Sequence, residues 1–139
     1  MGLIHTELEL QNGIDLGLAR RGVLPHDQVR TIKVQALVDC GAAMLAINEN
    51  IRRQLGLEKV EERLAELADG SLATYDVVGP IEVRIPNRRC SVDAMVLPGD
   101  AEVLLGALPM EDMDLVIEPK SQRVQINPTM PYISKKPIK

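Results

Sequence analysis

Residues 29–43, VRTIKVQALVDCGAA, alternate apolar and polar side chains, then turn wholly apolar, and end in a carboxylate followed by small residues. A strand that enters a core and delivers Asp39 at its end is a costly arrangement. A desolvated carboxylate without a partner is either protonated or destabilising. Gly41, two residues on, lets the backbone turn sharply and brings amide N–H groups toward that acid. An Asp capping a turn at a strand end is one account of this. Asp-x-Gly is a weak signal by itself: Asp15-Leu16-Gly17 has the same spacing, but no apolar strand leads into it, and it reads as loop.

The surrounding pattern is mostly β. Leu3 to Leu10 (LIHTELEL) alternates like a half-buried strand, and Val29 to Val38 is the strand that reaches Asp39. Gln11 to Gln28, with its glycines, proline and scattered charges, reads as a loop or long hairpin connection. Ala46 to Leu55 holds a helix start, with Asn48 as N-cap, Glu49 at the positive end of the dipole and Gly56 as the stop. Glu58 to Leu67 suits helix or strand. Ala68-Asp69-Gly70-Ser71 is a turn between it and Leu72 to Val78, so a hairpin is expected. Ile81 to Ile85 and Cys90 to Leu97 read as strands, followed by Glu102 to Gly106 and a helical turn around Pro109 to Met113. Leu115 to Glu118 and Arg123 to Ile126 are the last strand candidates, joined by residues 119–122. One domain over residues 1–126 and an extended, weakly ordered Pro/Lys tail over 127–139 are expected.

Composition removes several classes of function. Two tyrosines and no Phe or Trp leave no stacking platform for single-stranded nucleic acid, and a formal charge of −4 argues against a broad phosphate-binding surface. No apolar run approaches the roughly 20 residues that span a bilayer, and the acidic start does not resemble a signal peptide, so a cytoplasmic protein with no membrane partner is expected. Cys40 and Cys90 form no zinc spacing, His5 and His26 are isolated, and the common nucleotide-loop, zinc-protease and serine-hydrolase strings are absent. Glu111, Asp112 and Asp114 are expected to be solvated carboxylates in the first turn of a helix after Pro109 rather than a metal site. Met44, Met95, Met110 and Met113 read as core filler.

The company Asp39 keeps makes the stronger case. ALVDCGAAMLAINENIRRQLGL, residues 36–57, resembles the active-site segment of retropepsin-like aspartic proteases, in which an apolar strand leads to Asp-Thr/Ser-Gly-Ala and then a helix. Val103-Leu104-Leu105-Gly106 resembles the family's second signature, two apolar residues and a glycine beneath the catalytic loop. Ala68-Asp69-Gly70-Ser71 falls where the family carries the tip of its substrate-covering flap. The resemblance runs from about Val29 to Ile126 and fits the small bacterial branch better than the viral one.

The resemblance implies an all-β, single-lobe acid-protease fold with one or two short helices, acting as a homodimer on an extended peptide without cofactor or metal. Asp39 would be the catalytic residue and Cys40, Gly41 and Ala42 its loop. Ala68, Asp69, Gly70 and Ser71 would form the flap tip, and Leu104, Leu105 and Gly106 would support the loop. Aspartic proteolysis needs two carboxylates sharing one proton, and this chain has one motif, so the second must come from another copy. Cys40 departs from the pattern. The family's Thr or Ser hydroxyl bonds to the opposite subunit's backbone, and a thiol is a weak donor and acceptor. Three outcomes stay open: a looser active dimer, a silent dimer that binds extended peptides, or a dimer cross-linked through Cys40 on oxidation.

Overall fold

The computed structural model describes residues 3–118, 120–135 and 138. Pro119 of the expected connecting turn, and Lys136, Pro137 and Lys139 of the expected tail, lie outside the described residues. Chain order runs β1 (His5–Asn12), α1 (Gly13–Arg20), β2 (Thr31–Val38), β3 (Leu45–Asn48), α2 (Glu49–Leu55), β4 (Glu58–Glu66) and β5 (Leu72–Ile85). It continues through β6 (Arg88–Leu97), β7 (Val103–Leu105), α3 (Ala107–Asp112), β8 (Leu115–Glu118) and β9 (Arg123–Ile126). A single 3-10 turn, His26–Gln28, precedes β2.

Six strands close on themselves in the order β1-β2-β7-β3-β6-β5, with β1 pairing back onto β5, and β4 extends the sheet beyond β5. The barrel interior is aliphatic throughout. Leu8, Leu10, Ala36, Leu45, Ile47, Ile81, Val83 and Leu105 are fully buried, and α2 and α3 add Ile51, Leu55 and Met110 to the same core. Closure removes the unpaired edges that an open sheet would expose. β5 serves two structures. Its first half pairs with β4, Ile81–Arg84 pair with β1, and the register slips between Val78 and Ile81 where the hairpin leaves the barrel.

Among the described residues three helices are present where one or two were expected, and the correction falls on residues 11–28, which hold α1 and a 3-10 turn. Gly13 and Gly17 lower helix propensity there. Asn12 nevertheless caps α1 by accepting from the Ile14 and Asp15 N–H groups, and Leu16 and Ala19 are buried beneath it, so packing overrides propensity. Asn12 also donates to the Leu55 carbonyl at 2.8 Å, tying α1 to the end of α2. β3 lacks alternation because it lies between β6 and β7 with all four residues buried. α2 begins at the Asn48 cap and ends at Gly56 in the left-handed region (φ 62°), as the sequence indicates. Glu58–Glu66 resolves as strand, because β5 offers it a continuous antiparallel partner.

Pro109 lies inside α3, in its first turn, where a missing N–H costs no helical bond. Glu111 and Asp112 therefore occupy the helix's end and not its first turn, and Asp114 follows it. Met110 and Met113 are buried core residues, whereas Met44 and Met95 are half-buried. The segment after β9 is tied down at Asp114, which accepts from the Asn127 amide at 3.2 Å and the Lys135 N–H at 2.9 Å.

Candidate active site

β2 and β7 run parallel, with Leu37 opposite Leu104 and Val38 opposite Leu105. The ladder continues past β2, because the Asp39 N–H donates to the Leu105 carbonyl at 3.0 Å. The chain then turns. The Ala42 N–H donates to the Asp39 carbonyl at 3.0 Å, and the Gly41 N–H donates to Asp39 Oδ1 at 3.0 Å. From beneath, the first N–H groups of α3 fix the far side of the loop: Ala107 donates to the Ala42 carbonyl at 2.8 Å and Leu108 to the Ala43 carbonyl at 3.0 Å. Helix N-termini carry such unpaired N–H groups, so α3 holds the loop with donors it would otherwise waste.

Gly106 makes this contact attainable. A β-carbon there would overlap the carbonyls of Met44 and Ala42. Its φ is extended, so the constraint is close approach rather than backbone conformation. The structure thus gathers Asp39, Cys40, Gly41 and Ala42 with Leu104, Leu105 and Gly106 into one unit. Asp39 and Ala42 are half-buried, and Cys40 and Gly41 are exposed. Among the described residues the Asp39 carboxylate accepts that single hydrogen bond, which leaves its remaining lone pairs open to water or a ligand.

The carboxylates that are buried among the described residues, by contrast, are committed. Asp15 is held by Arg30, and Glu82 by Arg89, Arg84 and Arg20. Burial alone raises the Glu82 carboxyl, and the hydrogen bonds and charge of Arg89, helped by Arg84 and Arg20, bring it below its ordinary value. Among the described residues no group of three or more His, Cys, Asp or Glu is arranged to hold a metal ion.

The β4–β5 hairpin ends in the expected turn. Leu67 and Ser71 close it at 2.7 Å, and Gly70 adopts φ 85°, which a side chain tolerates poorly. Asp69 Oδ1 accepts the Ser71 N–H at 2.9 Å and its hydroxyl at 2.5 Å, which holds the Asp69 carboxyl below its ordinary value. Ala68, Asp69, Gly70 and Ser71 are all exposed, and the hydrogen bonds of this tip stay within the turn. Contact between the hairpin and the segment that follows Asp39 comes lower down, where Arg63 Nη1 donates to Met44 Sδ at 3.5 Å. Sequence reading missed this pair, since nothing in the spacing connects a strand arginine with a methionine nineteen positions earlier. It also left His5 isolated, whereas His5 Nε2 lies 3.0 Å from Glu102 Oε2. Two surface concavities, about 730 Å³ beside α3 and about 480 Å³ beside the hairpin's base, do not include Asp39 among their described lining residues.

The profile of the family described as Aspartyl protease matches residues 28–108, more than half of the chain, including Asp39, the hairpin and Gly106. The chain belongs to that family. Its fold is retropepsin-like, as in the retroviral protease-like domain of Ddi1 from Leishmania major, which superposes with a TM-score of 0.50 over 70% of this chain and 81% of that one. Sequence identity to that domain is 18%, so the likeness is one of fold. A retropepsin-like aspartic protease from Rickettsia conorii matches with a TM-score of 0.44 and 16% identity, over 85% of this chain and 88% of that one. No curated protein matches the sequence. Among the described residues, no helix is long and apolar enough to cross a membrane.

Proposed function

We propose that the protein is an aspartic endopeptidase that works as a homodimer, with Asp39 and the partner subunit's Asp39 activating one water between them. The observation that supports this most is the single hydrogen bond on Asp39. Its carboxylate ends a fixed strand in a loop held by β7 and α3, yet it keeps free acceptor capacity. The buried acids elsewhere are consumed by arginines.

One carboxylate of the pair is ionised and the other protonated, because like charges this close cannot both ionise. The ionised group takes a proton from water as the water oxygen attacks the scissile carbonyl carbon. The protonated group gives its proton to the carbonyl oxygen. Collapse of the tetrahedral species then returns a proton to the leaving amine. The pair titrates as a unit, in two macroscopic steps. The β4–β5 hairpin, with Asp69, Gly70 and Ser71 at its tip, closes over an extended substrate and adds backbone hydrogen bonds to it.

Asp39→Asn is expected to lower cleavage of a diverse peptide mixture by about 10³-fold, the order that a general acid–base group supplies. Dimer and fold should persist. Undiminished cleavage in that variant removes the reading. A silent dimer that only binds extended peptides is favoured instead if neither protein cleaves. The exposed Cys40 keeps that second reading relevant, since its thiol stands where the family has a hydroxyl. Cys40→Thr is therefore expected to tighten the dimer and raise activity, read by sedimentation and by cleavage rate. An unchanged dimer constant would place Cys40 away from the subunit contact.

A further inference from the structure

The outward face of the sheet beside Asp39 changes character along the strands. Ala36, Val103 and Leu105 point into the barrel and are buried. By strand alternation Leu37 and Leu104, paired with each other, point outward together with Asp39, and both are half-buried. His5 stands opposite Leu37 on β1, in the same row. One step farther from Asp39, the row contains Glu7 opposite Gln35, and Glu102 lies one residue before β7 on the same face. The 3.0 Å contact between His5 Nε2 and Glu102 Oε2 agrees with that placement. Travelling back from Asp39, one meets an apolar step made by Leu37 and Leu104, then a carboxylate. At about 3.3 Å per residue, the Glu102 row lies roughly 13 Å from Asp39.

We propose that this wall is a specificity site, in which Glu102 receives the cationic tip of a substrate lysine or arginine next to the scissile bond. The inference rests on the peptidase reading and names its substrate class: polypeptides with a basic residue at the cut. A Lys or Arg side chain has a long apolar stem and a charged head, which matches Leu37 and Leu104 followed by Glu102. A purely apolar substrate side chain would cover the leucines and leave Glu102 with His5 as its one side-chain partner among the described residues. A substrate carboxylate would face Glu102 and Glu7 directly. The β4–β5 hairpin, which touches Met44 through Arg63, has the same bias: from Glu58 to Asp76 it carries six carboxylates against Lys59 and Arg63, a surplus equal to that of the whole chain. Such a field draws basic segments toward this side of the molecule.

The test compares peptides that differ only in the residue next to the cleaved bond, Lys, Arg, Leu or Glu, with the native chain, Glu102→Gln and Glu102→Lys. The native protein should prefer Lys or Arg to Leu in kcat/KM. That ratio should fall about tenfold in Glu102→Gln, the lower end of what a hydrogen bond to a charged group supplies at a half-exposed site. In Glu102→Lys the peptide with Glu should overtake the one with Lys. A native preference for Leu, or a Lys-to-Leu ratio that is the same in all three proteins, overturns the proposal. Binding of the same peptides with a reduced, uncleavable bond is measured in parallel by calorimetry. If nothing is cleaved, the peptidase reading fails, but the Lys-to-Leu ratio of binding constants and its loss in Glu102→Gln still decide the role of Glu102.

Discussion

The two Asp-x-Gly sequences of this chain fold into opposite things. Asp15-Leu16-Gly17 lies in α1, with Asp15 in the first turn and buried. Both its oxygens are taken: Arg30 donates from Nε at 2.8 Å and from its backbone N–H at 3.1 Å to Oδ2, and from Nη2 at 3.0 Å to Oδ1. Asp39-Cys40-Gly41 ends a strand, and among the described residues its carboxylate accepts only the Gly41 N–H. The shared spacing carries no chemistry by itself. What separates the two acids is how much of their hydrogen-bonding capacity the fold has already used.

Isosteric amides test this most sharply. Asp39→Asn is expected to remove activity, as above, while changing stability little, because its one accepted bond survives on the amide oxygen. Asp15→Asn should do the reverse, leaving the Asp39 loop intact while costing about 2 kcal/mol of stability, since it unpairs a buried charge from a half-exposed arginine. Chemical denaturation of both variants reads the difference. Equal stability losses would erase the distinction.

Acid sharpens it further. The hydrogen bonds from Arg30 hold the Asp15 carboxyl below its ordinary value. A carboxyl lowered on folding contributes stability above its unfolded value and loses it as pH falls through the folded one. The native protein should therefore keep its full advantage over Asp15→Asn at neutral pH and surrender it only below about pH 4, the ordinary aspartate range. An advantage that stays constant down to pH 2 would show that the Arg30 pairing is not its source.

Legibility in the sequence followed the same division. The Asp39 loop, the Asn48 cap, the Gly70 turn and the β8 and β9 boundaries were readable because each is set by local chemistry, a cap, a turn or an alternating strand. The segment around Asp15 was misread as loop because its helix depends on partners distant in sequence: Arg30, and the Leu55 carbonyl bonded by Asn12. β3 was absorbed into the following helix, since a strand buried on both faces shows no alternation. In the site, the backbone frame was legible. The Arg63–Met44 and His5–Glu102 contacts were not, since only the tertiary arrangement of segments far apart in sequence brings those residues together.

The two glycines extend the comparison to smaller effects. A β-carbon on Gly41 would sit 3.2 Å from Asp39 Oδ1, and its neighbour must give way by a few tenths of an ångström. Since the neighbour is the oxygen proposed to be catalytic, Gly41→Ala should lower kcat by about tenfold, a modest share of what a full ångström of misplacement costs. Stability should move by less than about 1 kcal/mol.

A β-carbon on Gly17 meets nothing within 4 Å, and the residue's backbone is helical. Gly17→Ala removes unfolded-chain entropy without adding a clash, so it should stabilise the protein by about 0.5–1 kcal/mol, or raise Tm by about 3 °C, with activity unchanged. The same substitution in the same Asp-x-Gly frame thus moves activity in one copy and stability in the other. If Gly17→Ala were destabilising instead, α1 would be weaker than its Asn12 cap and the Asp15–Arg30 pair imply. The contrast between the two motifs would then rest on Asp39 alone.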